Sequence, residues 1–351
     1  MSDTPPGGKN LERSGSPPGY WRRRGVVVLV ILLVAGAISL AIAQTRSQAP
    51  VKAGAGHDRR GSGSGSSNSP ATTRPGPTPQ PPFAVEDETI SLTDFSRDTA
   101  ARGDVPAQSG RVLTTVIRRP VGAVGPLPLV VFAHGWDSDP LAYETLLDEW
   151  ASAGFLVAAP TFPDSADTQP GTPVTSFPEE AKDISFVITA MLYGAAGKVD
   201  PSRVAVAGHS DGGSDVAVLA LDPAFADHRI RAYLSLSSQI PDGMDGPWSA
   251  STPGALMVAV GTDDEYGLYP DSYQVYRSAN MAKVFVSATG GDHLDTFLDD
   301  TASAIAMRED TVKFLEFALD QTGVDSENLS AVLNPPGDSS LLVNSPPPSG
   351  A

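Results

Sequence analysis

Between Phe83 and Gly323 the chain passes repeatedly through short runs with almost no polar residue. They include "LPLVVFAHG" from Leu127, "GFLVAAP" from Gly154, "RVAVAGHS" from Arg203, "RAYLSLSS" from Arg231, "GALMVAVG" from Gly254 and "KVFVSATG" from Lys283. A strand with one wetted face alternates apolar and polar residues, whereas a continuous apolar run of strand length needs cover on both faces. Segments of helical period lie between the runs: "DPLAYETLLDEWASAG" from Asp139, "PEEAKDISFVITAMLYGAAG" from Pro178 and "TASAIAMREDTVKFLEFALDQTG" from Thr301. Two earlier runs, "TISLTDF" near Ile90 and "RVLTTVIRRP" from Arg111, are placed to pair as a hairpin. The pattern predicts an α/β domain with a mostly parallel eight-stranded sheet and helices on both faces. In such sheets ligands bind beyond the carboxyl ends of the strands.

Four strand ends carry unusual residues. "RVAVAGHS" ends in Gly208-His209-Ser210-Asp211-Gly212. A Gly-x-Ser-x-Gly pentapeptide is weak evidence alone in a chain with 34 glycines. It gains weight from standing between a buried strand and a helix, where the reversal is so sharp that only small residues fit beside the serine. Ser210 is then exposed on a strained turn over a helix N-terminus that favours developing negative charge. A nucleophilic serine needs a base, and the sequence has five histidines. His57 falls in a tether, His209 neighbours the serine on the turn, His134 suits a structural role in its loop and His228 precedes a strand on the surface. His293, in "SATGGDHLDTF", follows the last strand and is the candidate base. "LMVAVGTDDEYG" puts Asp263 and Asp264 after the preceding strand, and either could orient the histidine. A tetrahedral intermediate also needs two preorganised N–H donors. The amides of Asp211, after the serine, and of Trp136, in "VVFAHGWDS", are the candidates.

Together these features resemble the α/β-hydrolase superfamily over about Phe83 to Gly323. The HG loop, the GHSDGG elbow, the GTDD loop and the GGDH loop stand in family order. Within the superfamily the chain is similar to the lidless serine esterases of the dienelactone-hydrolase, cutinase and chlorophyllase-like groups. The resemblance implies an α/β-hydrolase fold, Ser210 as nucleophile, His293 as base and Asp264 as acid, since family acid loops commonly read Gly-x-x-Asp. It implies hydrolysis of a carboxylic ester through an acyl-enzyme. The usual dienelactone nucleophile is cysteine, and this chain has none, so that activity is not implied. Two rival readings are a serine peptidase of the same fold and a non-catalytic binding protein at the cell surface. Peptidases of this fold commonly carry a large cap. Fewer than twenty residues separate "GHSDGG" from Arg231, and Gln239 to Pro253 is a short polar loop, so no large cap domain is expected. An uncapped site suits small-molecule, lipidic or polymeric esters.

Charge divides the chain. Residues 1–82 hold ten Lys/Arg against three Asp/Glu, and the remainder holds fourteen against thirty-eight. So acidic a body repels phosphates and argues against nucleic-acid binding. Residues 1–24 form a basic terminus that ends in Arg22, Arg23 and Arg24. Residues 25–43 are an uncharged, mostly apolar run, and a helix of about 20 such residues spans a hydrocarbon core of roughly 30 Å. The run reads as a transmembrane helix, with a signal peptide cleaved after Ala43 as the alternative. Either places the body outside the cytoplasm, as a single-pass membrane protein or a secreted one. Residues 44–82, rich in Gly, Ser and Pro, read as a disordered tether, residues 83–323 as the catalytic domain, and residues 324–351 as a disordered tail. No cofactor or metal motif appears; the acidic run Asp263-Asp264-Glu265 has the oxygen ligands a calcium ion takes, but an acidic loop is usually just solvated. Without cysteine, disulfides, thiol nucleophiles and Cys-based zinc sites are excluded.

Overall fold

A computed structural model describes residues 81–195, 199–241, 253–320, 324–335 and 339–342. The expected basic terminus, spanning segment and nearly all of the tether lie outside the described residues. Among the described residues no helix is long and apolar enough to cross a membrane.

The hairpin forms as expected, from β1 (Val85–Asp94) and β2 (Arg111–Pro120), which pair antiparallel with Ile90 opposite Thr115. There follow β3 (Leu127–Ala133), α1 (Glu144–Ser152), β4 (Leu156–Thr161), α2 (Phe177–Ala190), β5 (Val199–His209) and α3 (Asp211–Leu221). The second half supplies β6 (Ile230–Leu236), β7 (Ala255–Gly261), α4 (Tyr269–Ser278), β8 (Ala282–Ala288), a short α5 (Asp295–Leu298), α6 (Ala302–Asp320), α7 (Ser326–Val332) and β9 (Ser340–Leu342). The strand order is β1-β2-β4-β3-β5-β6-β7-β8-β9, parallel from β4 through β8.

The continuous apolar runs do have cover on both faces. In β3, Leu129, Val131 and Ala133 point into one core while Val130 and Phe132 point into the other, all without solvent exposure. The first core is closed by α2, α3 and α4, through residues such as Ile184, Val216 and Tyr276. The second is closed by α1, α5, α6 and α7, through Trp150, Phe297, Phe314 and Leu329. The buried Trp150 indole donates to Thr311 Oγ1 at 2.8 Å and so fastens α1 to α6.

Two expectations need correction. The sheet has nine strands rather than eight, and the segment after Gly323 is not wholly without structure. Asp325 caps α7 by accepting the Asn328 amide at 2.8 Å, and Ser326 Oγ accepts the Lys283 amide of β8. Leu329 and Leu333 are buried in the second core. Beyond them β9 pairs antiparallel with β8, Leu341 opposite Val286. The physical reason is the open edge of β8: unpaired N–H and C=O groups on a buried strand invite any short extended segment with apolar side chains to cover them.

Candidate active site

Ser210 sits between β5 and α3 with φ 58° and ψ −123°. A non-glycine residue in that region costs on the order of 1–3 kcal/mol and persists only where its surroundings fix it. They do so here. The Ser210 amide donates to Leu236 O of β6 at 2.9 Å, and its carbonyl accepts the Ser214 amide of α3 at 3.1 Å. The glycines are sterically required. A Cβ at Gly208 would overlap the Gly212 carbonyl, one at Gly212 would overlap the Ala133 carbonyl, and one at Gly213 would stand 2.7 Å from Leu236 O. Strand β5 therefore turns into α3 with backbone packed on backbone, and the serine stands at the apex.

The loops after β7 and β8 run in contact. A Cβ at Gly261 would overlap the Gly291 carbonyl, and the Asp263 amide donates to Gly291 O at 2.9 Å. That closeness brings Asp264 to His293, whose Nδ1–H donates to Asp264 Oδ2 at 2.8 Å. The other carboxylate oxygen accepts the Tyr266 amide at 3.0 Å. Asp264 is buried at 8% exposure, whereas Asp263 faces solvent and meets only the neighbouring Thr262 hydroxyl among side chains. Glu265 accepts the His293 backbone amide at 3.0 Å, and the Tyr266 ring stands edge-on to the His293 ring at 4.6 Å. With Nδ1 committed to Asp264, Nε2 is the His293 nitrogen left to exchange a proton.

The loop after β3 lies against the serine. A Cβ at Gly135 would be 3.0 Å from Tyr143 Oη and 3.2 Å from Ser210 Cβ, tighter than an ordinary contact, so a side chain there would press on the serine. His134 has both ring nitrogens engaged: Nδ1–H donates to Gly135 O at 2.8 Å and Nε2 accepts the Phe162 amide at 3.0 Å. Burial pushes its pKa down to about 4, so it remains neutral and holds the loop, as the sequence reading expected. Because the Gly135 carbonyl is fixed toward His134, the trans peptide directs the Trp136 N–H the opposite way. The Asp137 amide donates to Ser165 O at 2.9 Å and ties the loop to the segment between β4 and α2. The same segment holds the two remaining partners of the site. Pro173 O accepts the Trp136 indole N–H at 3.1 Å, and Thr175 Oγ1 donates to the Asp211 carboxylate.

The structure thus places Trp136, Ser210, Asp211, Asp264 and His293 after the carboxyl ends of β3, β5, β7 and β8, and leaves His228 exposed ahead of β6. It adds residues that the sequence reading passed over. Glu265, Tyr266 and Thr175 each touch one of the candidates, and Tyr143 touches Gly135 and His209 beside them. Only Glu265 and Tyr266 had a legible signal, their adjacency to Asp264. Tyr143 and Thr175 reach the site from 66 and 36 residues away from their partners.

A family model described as Chlorophyllase matches residues 101–246. The match takes in the loop after β3 and the Ser210 elbow, and ends before Asp264 and His293. Among solved structures the chain is similar to a ferulic acid esterase from Streptomyces cinnamoneus, with a TM-score of 0.53 and 20% identity over 70% of this chain and 93% of that one. No curated protein matches the chain in sequence.

Proposed function

We propose that this chain, an α/β-hydrolase by strand order and by likeness to solved structures, hydrolyses carboxylic esters through a serine acyl-enzyme. The observation that carries the reading is the 2.8 Å bond from His293 Nδ1 to a buried Asp264, on a loop that meets the ring of His209, the residue before a serine held at φ 58°. Asp264 fixes the tautomer in which Nε2 is free to accept a proton. Ser210 Oγ attacks the ester carbonyl as His293 Nε2 takes its proton, and the Trp136 and Asp211 amides receive the oxyanion. His293 returns the proton to the departing alcohol. It then deprotonates the water that releases the acid from Ser210.

The substrate class follows from the rim. Trp136, Val174, Tyr266 and Leu294 expose 52%, 49%, 71% and 41% of their surface around the candidate site. Clustered exposed apolar side chains on a soluble surface commonly mark where an apolar ligand is held. We assign the site to esters with a bulky apolar or aromatic acyl or alcohol group. The match to the chlorophyllase model and the likeness to a ferulic acid esterase fit such a substrate. Purified full chain should turn over chromogenic esters, bulky aryl and long acyl ones with the lower KM, and a serine-directed phosphonate should label the wild type but not Ser210→Ala. Absence of turnover together with absence of labelling would sink the reading.

We further propose that the body works outside the cytoplasm, held by residues 25–43 as anchor or delivered by them as a cleaved signal. The support is the Arg22–Arg24 cluster ahead of an apolar run of spanning length. A reporter active only outside the cytoplasm, fused after Pro82, should be active. Activity of a cytoplasm-only reporter at the same junction would reverse the assignment.

A further inference from the structure

Behind the candidate site, four groups that the esterase mechanism does not use form one line. The Gly135 amide donates to Tyr143 Oη at 3.2 Å, Tyr143 Oη meets His209 Nδ1 at 3.1 Å, and His209 Nε2 meets the His293 carbonyl oxygen at 2.8 Å. The ends fix the direction of every proton between them. A backbone amide can only donate, so Tyr143 Oη accepts from Gly135. A carbonyl can only accept, so His209 carries its proton on Nε2. Burial first, and the neighbouring His293 second, hold the His209 pKa down to about 3, and a neutral imidazole with Nε2–H offers Nδ1 as acceptor. Tyr143 therefore donates its hydroxyl hydrogen to His209. Burial pushes that phenol up to about 12, so it keeps the hydrogen it donates. The result is a single directed chain running from the loop after β3, through the last residue of β5, to the backbone of the loop after β8.

Both side chains are almost fully buried, Tyr143 at 3% and His209 at 2% exposure. Their rings pack with the groups they connect: Tyr143 on Phe132 at 4.8 Å between centroids, His209 on His293 at 4.5 Å and on Phe297 at 5.5 Å. Packing alone would be served as well by phenylalanine and leucine. The hydrogen bonds add something packing cannot, since they set the distance between two loops that share no strand pairing, β3 and β8 being far apart in the sheet. One loop carries the Trp136 amide and the other the His293 ring.

We propose that Tyr143 and His209 are positioning residues, which through this chain hold the Trp136 loop and the His293 loop in the register that turnover requires. The role rests on the serine-esterase reading above. Removing one hydrogen-bonding atom breaks the chain and leaves a buried partner unsatisfied, and members of one network lose their effects non-additively.

The test uses full-length protein and a short chromogenic ester, with phosphonate titration of reactive serine so that rates are per active site. Tyr143→Phe removes only the hydroxyl. His209→Leu removes both ring nitrogens, whereas His209→Gln offers one acceptor and one donor on a similar spacing. Tyr143→Phe and His209→Leu are each expected to lower kcat per titrated site by about 10- to 100-fold with KM within twofold of wild type. The Tyr143→Phe/His209→Leu double variant should fall no further than the worse single, and His209→Gln should regain at least fivefold over His209→Leu. A Tyr143→Phe enzyme with per-site kcat within twofold of wild type overturns the proposal. So do losses in the double variant that multiply. If Tyr143→Phe and His209→Leu both fail to fold, the chain is a folding element and the proposal falls. A wild type that neither turns over nor takes label overturns the esterase reading itself, which is a different result from any of these.

Discussion

Asp263 and Asp264 are adjacent in the sequence and opposite in environment. Asp264 is buried, bonded to His293 Nδ1 through one oxygen and to the Tyr266 amide through the other. Asp263 is exposed and bonded through its side chain only to the next hydroxyl. Their substitution should therefore separate cleanly. In Asp264→Asn the group facing Nδ1 can become an NH₂ donor, which turns Nδ1 into an acceptor and puts the proton on Nε2, where it cannot accept from Ser210. A wrong tautomer of this kind can cost on the order of 10⁴ in kcat. Asp264→Asn should be folded and nearly inactive, whereas Asp263→Asn should keep kcat within twofold and stability within about 0.5 kcal/mol, the usual range for an exposed position. Rates and thermal midpoints of the two variants check this, and the reverse pattern would move the acid to Asp263. The residues by themselves leave two candidates here, and only the family resemblance, through its Gly-x-x-Asp spacing from Gly261, points to Asp264. What separates them is the close approach of Gly261 to Gly291, where an added Cβ would overlap the Gly291 carbonyl, a contact made only once β7 and β8 pair.

At the scale of elements, strands were the most legible part. All six apolar runs are strands, because a doubly covered strand leaves almost no room for a polar side chain, and the two earlier runs pair as the expected hairpin. The elbow was legible for a related reason: backbone in contact with backbone requires glycine at Gly208 and Gly212 whatever the remainder of the fold does. Elements held by distant partners were not legible. Strand β9 exists because β8 has an open edge, and only three residues of it pair. Helix α4 has an unremarkable surface pattern, yet it buries Tyr273 and Tyr276 against Phe285. Helix α2 shows the same limit more sharply. Its period suggests that Glu180 and Asp183 belong to a solvated face, but they are buried at 1% and 0% exposure. Asp183 is held by Arg111 at the start of β2, through bonds of 2.6 to 3.1 Å, and by Arg97. Arg111 also reaches Asp164 at 2.8 Å, and so ties the segment bordering the candidate site to the sheet. Asp183 reads as surface until its arginine partners, 72 and 86 residues away, come into view.

For the whole molecule the consequence is a buried acidic interior inside an already acidic body. Glu180 of α2 and Asp215 of α3 face each other without an arginine between them. Burial, and then Glu180, raise Asp215 well above the ordinary carboxylate range. Burial raises Glu180 to about 7, against weaker opposing hydrogen bonds from Ser165 and from Asp215, with Asp183 and Asp211 adding negative charge nearby. Two carboxylates can only accept, so the pair is bonded only while at least one holds a proton. The sign follows from linkage. Between about 4.5 and 7 the folded protein binds a proton at Glu180 that the unfolded chain has released, so stability falls as pH rises through that window, and the raised Asp215 adds to the fall in the same direction. A shift of this size corresponds to an effect on the order of a few kcal/mol. The net negative body adds repulsion of the same sign, so the two contributions must be separated by substitution. Glu180→Gln replaces the titrating group with an amide that can donate to Asp215 at every pH. Relative to wild type, its unfolding free energy should be flatter between pH 5 and 8 and higher at pH 8, with little difference at pH 5. Equilibrium denaturation of both proteins across that range decides the matter, and equal slopes for the two would show that Glu180 is not the group that titrates.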